Sequence, residues 1–134
     1  MYKCKLGMEL HKDLGLPYDR QISLLRETGF EGFFAYWEKG MDVADLAAAA
    51  RREGMIFQSL HAPGGPWARY LWYPCEETRT AMELFVSCLR DCAEQAVPIM
   101  VLHSFYGFDL HTPTPQGLEN FEKIVDQARR LGVK

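Results

Sequence analysis

Apolar and polar residues along the chain recur with a helical period that breaks off four times into short apolar runs. The junctions read "RETGFEGFFAYW", "RREGMIFQSL", "AEQAVPIMVL" and "ARRLGVK". Each has a small residue where the helix should stop, at Gly29, Gly54, Ala96 and Gly132, and glycine readily adopts the left-handed backbone that ends a helix. The runs that follow are rich in aromatic and branched residues, as buried strands are. The pattern predicts four helices, each followed by a strand.

Each predicted helix has an apolar face at the spacing i, i+3, i+4, i+7. The residues that we expect to face the core are Ile22, Leu25 and Thr28 in the first helix (residues 18–28), Val43, Leu46, Ala47 and Ala50 in the second, Met82, Phe85, Val86, Leu89, Ala93 and Ala96 in the third, and Leu118, Phe121, Val125 and Ala128 in the fourth. Asp42 is a suitable N-cap for the second helix, and Thr114 followed by Pro115 gives the fourth a cap and a first-turn proline.

With an opening strand at residues 3–9, the order of elements is βαβαβαβα, which implies a parallel sheet with right-handed crossovers. An open doubly wound sheet and a closed (β/α)8 barrel share this order. A nucleotide-binding open sheet would usually carry a glycine-rich loop, and "GMELHKDLG" is not one. A complete barrel needs about 250 residues. The sequence therefore predicts an α/β fold, the (β/α)4 half of a TIM barrel, as a single domain over residues 1–134.

Four parallel strands left open would have two unpaired edges. We therefore expect the half-barrel either to be the front half of a longer protein or to be completed by a second chain in a homodimer. The final "LGVK" reads as a helix stop followed by the first two residues of a further strand, and it favours a fragment.

Composition narrows the functional classes. Hydrophobic residues make up 48% of the chain and charged residues 25%, which is typical of a globular protein. The net charge is −3 and the charges are mixed, so no basic face for nucleic acid is expected. No apolar run approaches the roughly 20 residues of a membrane span, and the N-terminus lacks a secretory signal. We expect a cytoplasmic protein with no membrane partner.

The sequence lacks several familiar chemical motifs. Its four cysteines show no metal-finger spacing and no CxxC pair. Cys88 and Cys92 share one face of the third predicted helix, and we expect them to be small buried residues. A Gly-x-Ser-x-Gly elbow, a phosphate-binding P-loop and a His-Glu-x-x-His helix are all missing.

Two histidines stand where apolar runs turn into loops, in "FQSLHAPGG" and "PIMVLHSFYG". Functional groups gather at the carboxyl ends of parallel strands, so His61 and His103 should point to where a ligand would sit. Strand alternation would put Phe57, Ser59 and His61 on one face. Two imidazoles on adjacent strand ends would make half of a metal site. The alternative is that each histidine bonds a loop carbonyl.

Further candidates lie at other strand ends. Glu9 either faces the pocket or is solvated, and His11 follows it into the loop. Trp37 ends the second strand and either points to the shared pocket or belongs to the core. His111 is expected to be an exposed loop residue or part of the capping region of the fourth helix. In "GGPWARYLWYP", Trp67 is one of four aromatics that would form a lid over the pocket or pack against a neighbouring subunit or a second half.

With these residues in place, the chain resembles the xylose-isomerase-like barrels, a superfamily that includes sugar-phosphate isomerases and epimerases and apurinic-site endonucleases. "LLRETGFEGFFAYW" is similar to the first helix and second strand, and "ADLAAAARREGMIFQSLHAP" to the second helix and the histidine-ended third strand. "VPIMVLHS" is similar to the fourth strand, and "GLENFEKIVDQARRLGVK" to the fourth helix entering the fifth strand. The resemblance spans nearly the whole chain, as the N-terminal half of such a barrel.

The resemblance implies that His61 and His103 bind zinc, as in the endonuclease branch, or line the substrate pocket, as in the isomerase branch. It also implies an isomerase or epimerase that uses a divalent metal (Zn, Mn or Mg) and moves a proton through an enediolate. The metal ligands of that branch lie mainly on the fifth to eighth strands, which this sequence lacks, so the chain alone does not supply the catalytic set.

We therefore predict a small sugar or polyol substrate. The expected substrate-binding residues are Glu9, Trp37, His61, Trp67 and His103, with His61 and His103 as metal ligands. The alternative is a non-catalytic half-barrel dimer or ligand-binding assembly. An apurinic-site endonuclease-like phosphodiesterase is the less favoured enzyme, because the loop "HAPGGPWARYLWYP" offers a single cation for DNA phosphates, Arg69.

Overall fold

Helices and strands alternate along the computed structural model, which describes residues 4–105 and 112–134. The strands are β1 (Gly7–Leu10), β2 (Gly32–Tyr36), β3 (Ile56–His61) and β4 (Met100–Val101). The helices are α1 (Tyr18–Glu27), α2 (Val43–Glu53), α3 (Pro66–Tyr70), α4 (Glu77–Glu94) and α5 (Pro115–Leu131), and a 3-10 turn at Lys12–Leu14 follows β1. The order agrees with the predicted βαβαβαβα pattern, with the short helix α3 added.

The four strands form one sheet in chain order, and every neighbouring pair is parallel. Leu10, Ala35 and Leu60 lie side by side in this register and are almost fully buried. They belong to one apolar cluster with residues of α1, α2, α4 and α5, so the core lies between the sheet and the helices. The opposite side of the sheet is open at the carboxyl ends of the strands, since Tyr36, the last residue of β2, is 46% exposed.

Strand β3 contains an irregularity that the alternation pattern did not predict. Phe33 pairs with Phe57, but the next residue, Phe34, pairs with Ser59, so one extra residue lies between them in β3. Adjacent residues of a strand face opposite sides, and laterally paired residues face the same side. Phe57 therefore shares the buried side of Phe33, whereas Ser59 and His61 share the side of Phe34. The prediction that all three share one face is wrong for Phe57.

The predicted helix signals are confirmed at several ends. The side chains of Asp42 and Thr114 each accept a hydrogen bond from the backbone amide three residues on, as N-caps do. Gly54 and Gly132 end α2 and α5 with φ of 63° and 71°. Ala96, just after α4, adopts the same left-handed conformation with φ of 57°. The helix therefore stops there although the residue is not a glycine.

The end of the described chain runs beside β4. The backbone amide of Lys134 donates to the carbonyl of Pro98 at 3.0 Å, and its carbonyl accepts from the amide of Met100 at 2.8 Å. This is the bonding of a strand parallel to β4. It agrees with the prediction that "VK" begins a further strand.

The inward face of α5 differs from the predicted one. Leu118 and Val125 are 53% and 44% exposed, whereas Gly117, Asn120 and Ile124 are buried. The helix is rotated because Gly117 and Asn120 meet the segment that precedes α4. The prediction is therefore wrong for Leu118 and Val125, which lie on a flank that no other described helix covers.

The other helix faces were predicted more closely. The four residues named for α2 are all buried. In α4 the buried residues are Ala81, Phe85, Cys88, Leu89 and Cys92, so the two cysteines are buried as expected. Ala96 is exposed, which corrects its predicted inward position. In α1, Ile22 is buried, but Thr28 is exposed and Gln21 faces inward instead. No helix within the described residues combines the length and apolar character needed to cross a membrane.

The aromatic segment at residues 64–74 is partly helical, as α3, and partly core. The ring of Trp72 is 5% exposed, stacks on Phe105 with centroids 4.7 Å apart, and lies 4.9 Å from Phe121. Its Nε1 donates to the carbonyl of Ser104 at 2.6 Å. Trp72 therefore contradicts both predicted roles for this segment, a pocket lid and an interface, because it packs inside its own chain.

Candidate functional site

His61 and His103 come together at the carboxyl ends of β3 and β4. His61 is the last residue of β3 and pairs laterally with Val101, so His103, two residues further on, continues the same side of the sheet. The two ring centroids are 5.8 Å apart, with planes inclined by 49°. The strand ends at His61 because Pro63 has no amide to donate and Gly65, at φ 61°, turns the chain into α3.

Two aromatic rings of β2 flank His61. Phe34 stacks on it with centroids 5.0 Å apart, and Tyr36, its lateral partner in the sheet, lies 4.8 Å away. Neither was among the predicted site residues. The strand alternation in "GFFAYW" would have found them, because it puts Phe34 and Tyr36 on one side and Trp37 on the other.

The electrostatic setting of His61 favours the neutral form of its ring. Burial lowers the pKa of His61 below its ordinary value of 6.5, and charge on His103 lowers it further, while the carboxylate of Glu9 acts in the opposite direction. The Nδ1 atom of His61 is buried and has no hydrogen-bond partner among the described residues. Such an unpaired polar atom is uncommon in a folded protein, and a bound hydroxyl or water is one way of satisfying it.

Glu9 lies on the same side of the sheet, next to the end of β1. It pairs laterally with Phe34, and its side chain is 31% exposed. The ring of His11 approaches it to 3.9 Å, but that ring also accepts a hydrogen bond from the amide of Asp13 and so caps the short turn that follows. The structure thus brings Glu9 toward His61 and leaves His11 as an exposed capping residue. His111 lies outside the described residues.

Trp37 and Trp67 do not face the histidine pair. Trp37 is 4% exposed on the helix side of the sheet, and its Nε1 donates to Oδ2 of Asp91 in α4 at 2.5 Å. Both indoles line a separate hollow of about 440 Å³, to which Tyr36 also contributes. The predicted substrate-binding set therefore divides between two places, with Glu9 and the histidines in one and the tryptophans in the other.

The residues present do not complete a metal site. A structural or catalytic zinc ion takes three or four protein ligands, and His61 with His103 supplies two imidazoles. Within residues 4–105 and 112–134, no group of three His, Cys, Asp or Glu side chains is placed to hold an ion. The donor set fits, at most, a part of a divalent site whose other ligands come from elsewhere.

Comparisons with known proteins identify the architecture. No family model matches the sequence, and no match to a curated protein was found. Among solved structures, D-psicose 3-epimerase from Clostridium cellulolyticum H10 matches with a TM-score of 0.70 at 16% identity, over 97% of this chain and 50% of that one. An AP endonuclease, family 2, from Brucella melitensis matches with a TM-score of 0.73 at 15% identity, over 97% of this chain and 53% of that one. A xylose isomerase domain protein from Planctomyces limnophilus matches with a TM-score of 0.67 at 11% identity, over 96% of this chain and 50% of that one.

These matches confirm the predicted fold. The four parallel strands with their crossover helices match half of a TIM barrel. The chain spans about half the length of each of the matched structures. At such identities the likeness establishes the fold and leaves the activity to be argued from the site.

Proposed function

We propose that the chain is the N-terminal half of a sugar or sugar-phosphate isomerase/epimerase-type barrel, and that its open face binds a small polyol at Glu9, His61 and His103. The proposal depends on one observation: the imidazoles of His61 and His103 lie at adjacent strand ends with their ring centroids 5.8 Å apart, and Glu9 lies on the same side of the sheet. Neutral imidazole both donates and accepts hydrogen bonds and a carboxylate accepts them, which suits the hydroxyl groups of a polyol.

The aromatic neighbours support the same substrate class. Phe34 and Tyr36 fix the ring of His61 by packing against it, so its orientation is set before a ligand arrives. A neutral His61 is also suited to hydroxyl groups, because it keeps one donor and one acceptor nitrogen. We assign binding and orientation of the polyol to these residues.

The catalytic step would need groups from beyond this chain. Proton transfer through an enediolate requires acid–base residues and, in the resembling barrels, a divalent metal that stabilises the developing charge. The described residues form no group able to hold such an ion by themselves. We therefore propose that the remaining ligands belong to strands that this chain does not contain.

The charges near the strand ends favour a polyol over DNA. Three carboxylates, those of Glu9, Asp13 and Glu38, lie close to the open end of β1 and β2, and the ammonium group of Lys12 is paired with Glu38. A DNA-binding surface needs unpaired cations for the phosphates.

The test is a titration of the protein with ketoses, their epimers and their phosphates, in which binding is monitored by NMR of the protein. We expect His61→Gln and His103→Gln each to weaken binding by about tenfold, the value of a hydrogen bond to a buried polar partner. His11→Gln is the matched control and should bind as the wild type does. Equal losses in all three variants, or no sugar bound by the wild type, would contradict the proposal.

A second candidate, a half-barrel homodimer, is favoured by exposed apolar side chains at both ends of the fold. Leu6 and Met8 on the β1 side are 61% and 47% exposed, and Leu118 and Val125 on the α5 side are exposed as well. A second copy would bury these side chains and pair with the open edge of β1. Sedimentation of the wild type and of Leu118→Glu decides this candidate. A dimer that the variant dissociates supports it, and a wild-type monomer excludes it.

A further inference from the structure

A hollow lined by aromatic and aliphatic side chains lies at the carboxyl ends of β2 and β3. It has a volume of about 440 Å³ and lies between the segments that follow β2 and β3 and the first turns of α4. Its apolar lining includes Trp37, Pro63, Trp67 and Leu84, and we call it the aromatic hollow. This volume lies in the range of small-molecule sites.

The two indoles are held in fixed orientations. Trp37 is buried, and its single polar atom is already bonded to Asp91, so it presents carbon atoms to the hollow. Trp67 lies on α3, where the ring of Tyr70 packs against it edge-on at 5.7 Å. Because these rings are ordered before binding, a ligand would not have to immobilise them.

The polar side chains of the hollow are few. The lining residues with polar groups on their side chains, apart from the indoles, are Tyr36, Glu38, Lys39 and Thr80, and the carboxylate of Glu38 is already paired with Lys12. A sugar ring needs hydrogen-bond partners around its whole rim, and this lining does not offer them. A flat apolar ring needs none, and it gains offset or edge-on contacts with two indoles. The lining therefore suits an aryl group.

Tyr36 connects the aromatic hollow to the histidine pair. Its ring is 4.8 Å from His61, and the residue is also among those that line the hollow. We propose that the substrate is a sugar carrying an aryl group, with the sugar at His61 and His103 and the aryl ring beside Trp67. This inference rests on the proposed function and adds the substrate class to it.

The experiment measures binding alone, because a glycoside lacks the free carbonyl that an enediolate step needs. It compares methyl and phenyl glycosides that share one sugar, over a panel of sugars, with phenol as a third probe. Binding is followed by NMR for the whole chain. For the sugar that binds, the phenyl glycoside should bind at least about tenfold more tightly than the methyl glycoside, as expected when an aryl ring leaves water. Trp67→Ala should remove this difference and leave the methyl glycoside unaffected.

Two further variants sharpen the comparison. Tyr73→Ala is the matched control, since Tyr73 is 41% exposed and does not line the hollow, and it should keep the tenfold ratio. If Trp67→Ala does not fold, Leu84→Gln is used instead. It places an amide in the hollow and should reduce the ratio of phenyl to methyl glycoside affinity. A ratio near one in the wild type, or a ratio that survives both Trp67→Ala and Leu84→Gln, overturns the inference.

The outcomes separate this inference from the proposed function. If methyl glycosides bind and lose affinity in His61→Gln while the phenyl group adds nothing, the proposed function stands and the inference is wrong. If phenol binds in a Trp67-dependent way while no glycoside responds to His61→Gln, the hollow takes aryl groups but the proposed function fails, and the inference, which depends on it, fails with it.

Discussion

The indole ring of Trp72 occupies the space that a side chain on Gly117 would fill. A Cβ placed on Gly117 would overlap the six-membered part of the ring. Two hydrogen bonds fasten the same segment to α5, since the hydroxyl of Thr114 donates to the carbonyl of Trp72 and Nδ2 of Asn120 donates to that of Leu71 at 2.8 Å. The segment between α3 and α4 is thereby anchored on the last helix.

We expect Gly117→Ala to destabilise the protein. The added methyl group forces the buried ring of Trp72 to move, and overpacking of this kind costs about 1–3 kcal/mol. The better helix propensity of alanine, worth up to about 1 kcal/mol, offsets a part of this cost. The free energy of unfolding is measured by urea denaturation.

Glu122→Ala is the matched control for that measurement. Glu122 is exposed on the same helix, and its replacement should change the free energy of unfolding by no more than about 0.5 kcal/mol. If Gly117→Ala proves as stable as this control, the packing of Trp72 against α5 is not as described.

Local signals in the sequence predicted the elements of this fold well. Asp42, Thr114 and Gly54 act through atoms within a few residues of themselves, so their capping roles can be seen in the sequence. The two histidines were found for a similar reason, because each ends an apolar run and the parallel topology then brings neighbouring strand ends together.

Features that depend on distant contacts were missed. The face of α5 is set by Trp72 and by the carbonyl of Leu71, more than 40 residues away, so periodicity alone selected Leu118 and Val125. The extra residue in β3 likewise depends on pairing with β2, and it moved Phe57 to the side opposite His61. An apolar stripe wider than the buried face cannot by itself fix the rotation of a helix.

The corrected face of α5 gives a second stability prediction. Ile124 is 2% exposed, so Ile124→Ala should cost about 2–5 kcal/mol through lost burial and a residual cavity. Leu118→Ala, at an exposed position earlier in the same helix, should cost no more than about 0.5 kcal/mol. Chemical denaturation of both variants distinguishes the two faces. If Leu118→Ala were instead the more destabilising variant, the inward face of α5 would be the one that periodicity predicted.

Asp91 should stabilise the fold through the buried indole of Trp37. Asp91→Ala leaves Nε1 of Trp37 without its acceptor in a position that water barely reaches, and such a loss costs about 1–3 kcal/mol. Asp91→Asn keeps an acceptor oxygen, so its loss of stability should be less than half that of Asp91→Ala. Thermal unfolding of the two variants tests this, and equal losses would mean that the hydrogen bond contributes nothing.

The pKa of His61 should respond in opposite directions to its two charged neighbours. NMR titration of the imidazole protons should give a value below 6.5 in the wild type, because the ring is partly buried. His103→Gln removes a like charge and should raise the pKa of His61, whereas Glu9→Gln removes an opposite charge and should lower it. Shifts of the same sign in both variants would show that the two side chains do not act on His61 as charges.

The lowered pKa of His61 also makes stability depend on pH. Above 6.5, the ring is neutral in the folded and unfolded chains, and its contribution is fully present. As the pH falls from 6.5 toward the lower folded value, the unfolded chain binds a proton that the folded chain does not, so the free energy of unfolding decreases. Below the folded pKa this group adds no further change.

His61→Gln should therefore flatten the loss of stability just below pH 6.5, because glutamine does not titrate. Denaturation curves at closely spaced pH values give the slopes of the wild type and of this variant. An unchanged slope in His61→Gln would mean that another group causes the pH dependence and that His61 is more hydrated than its burial among Phe34, Tyr36 and His103 indicates.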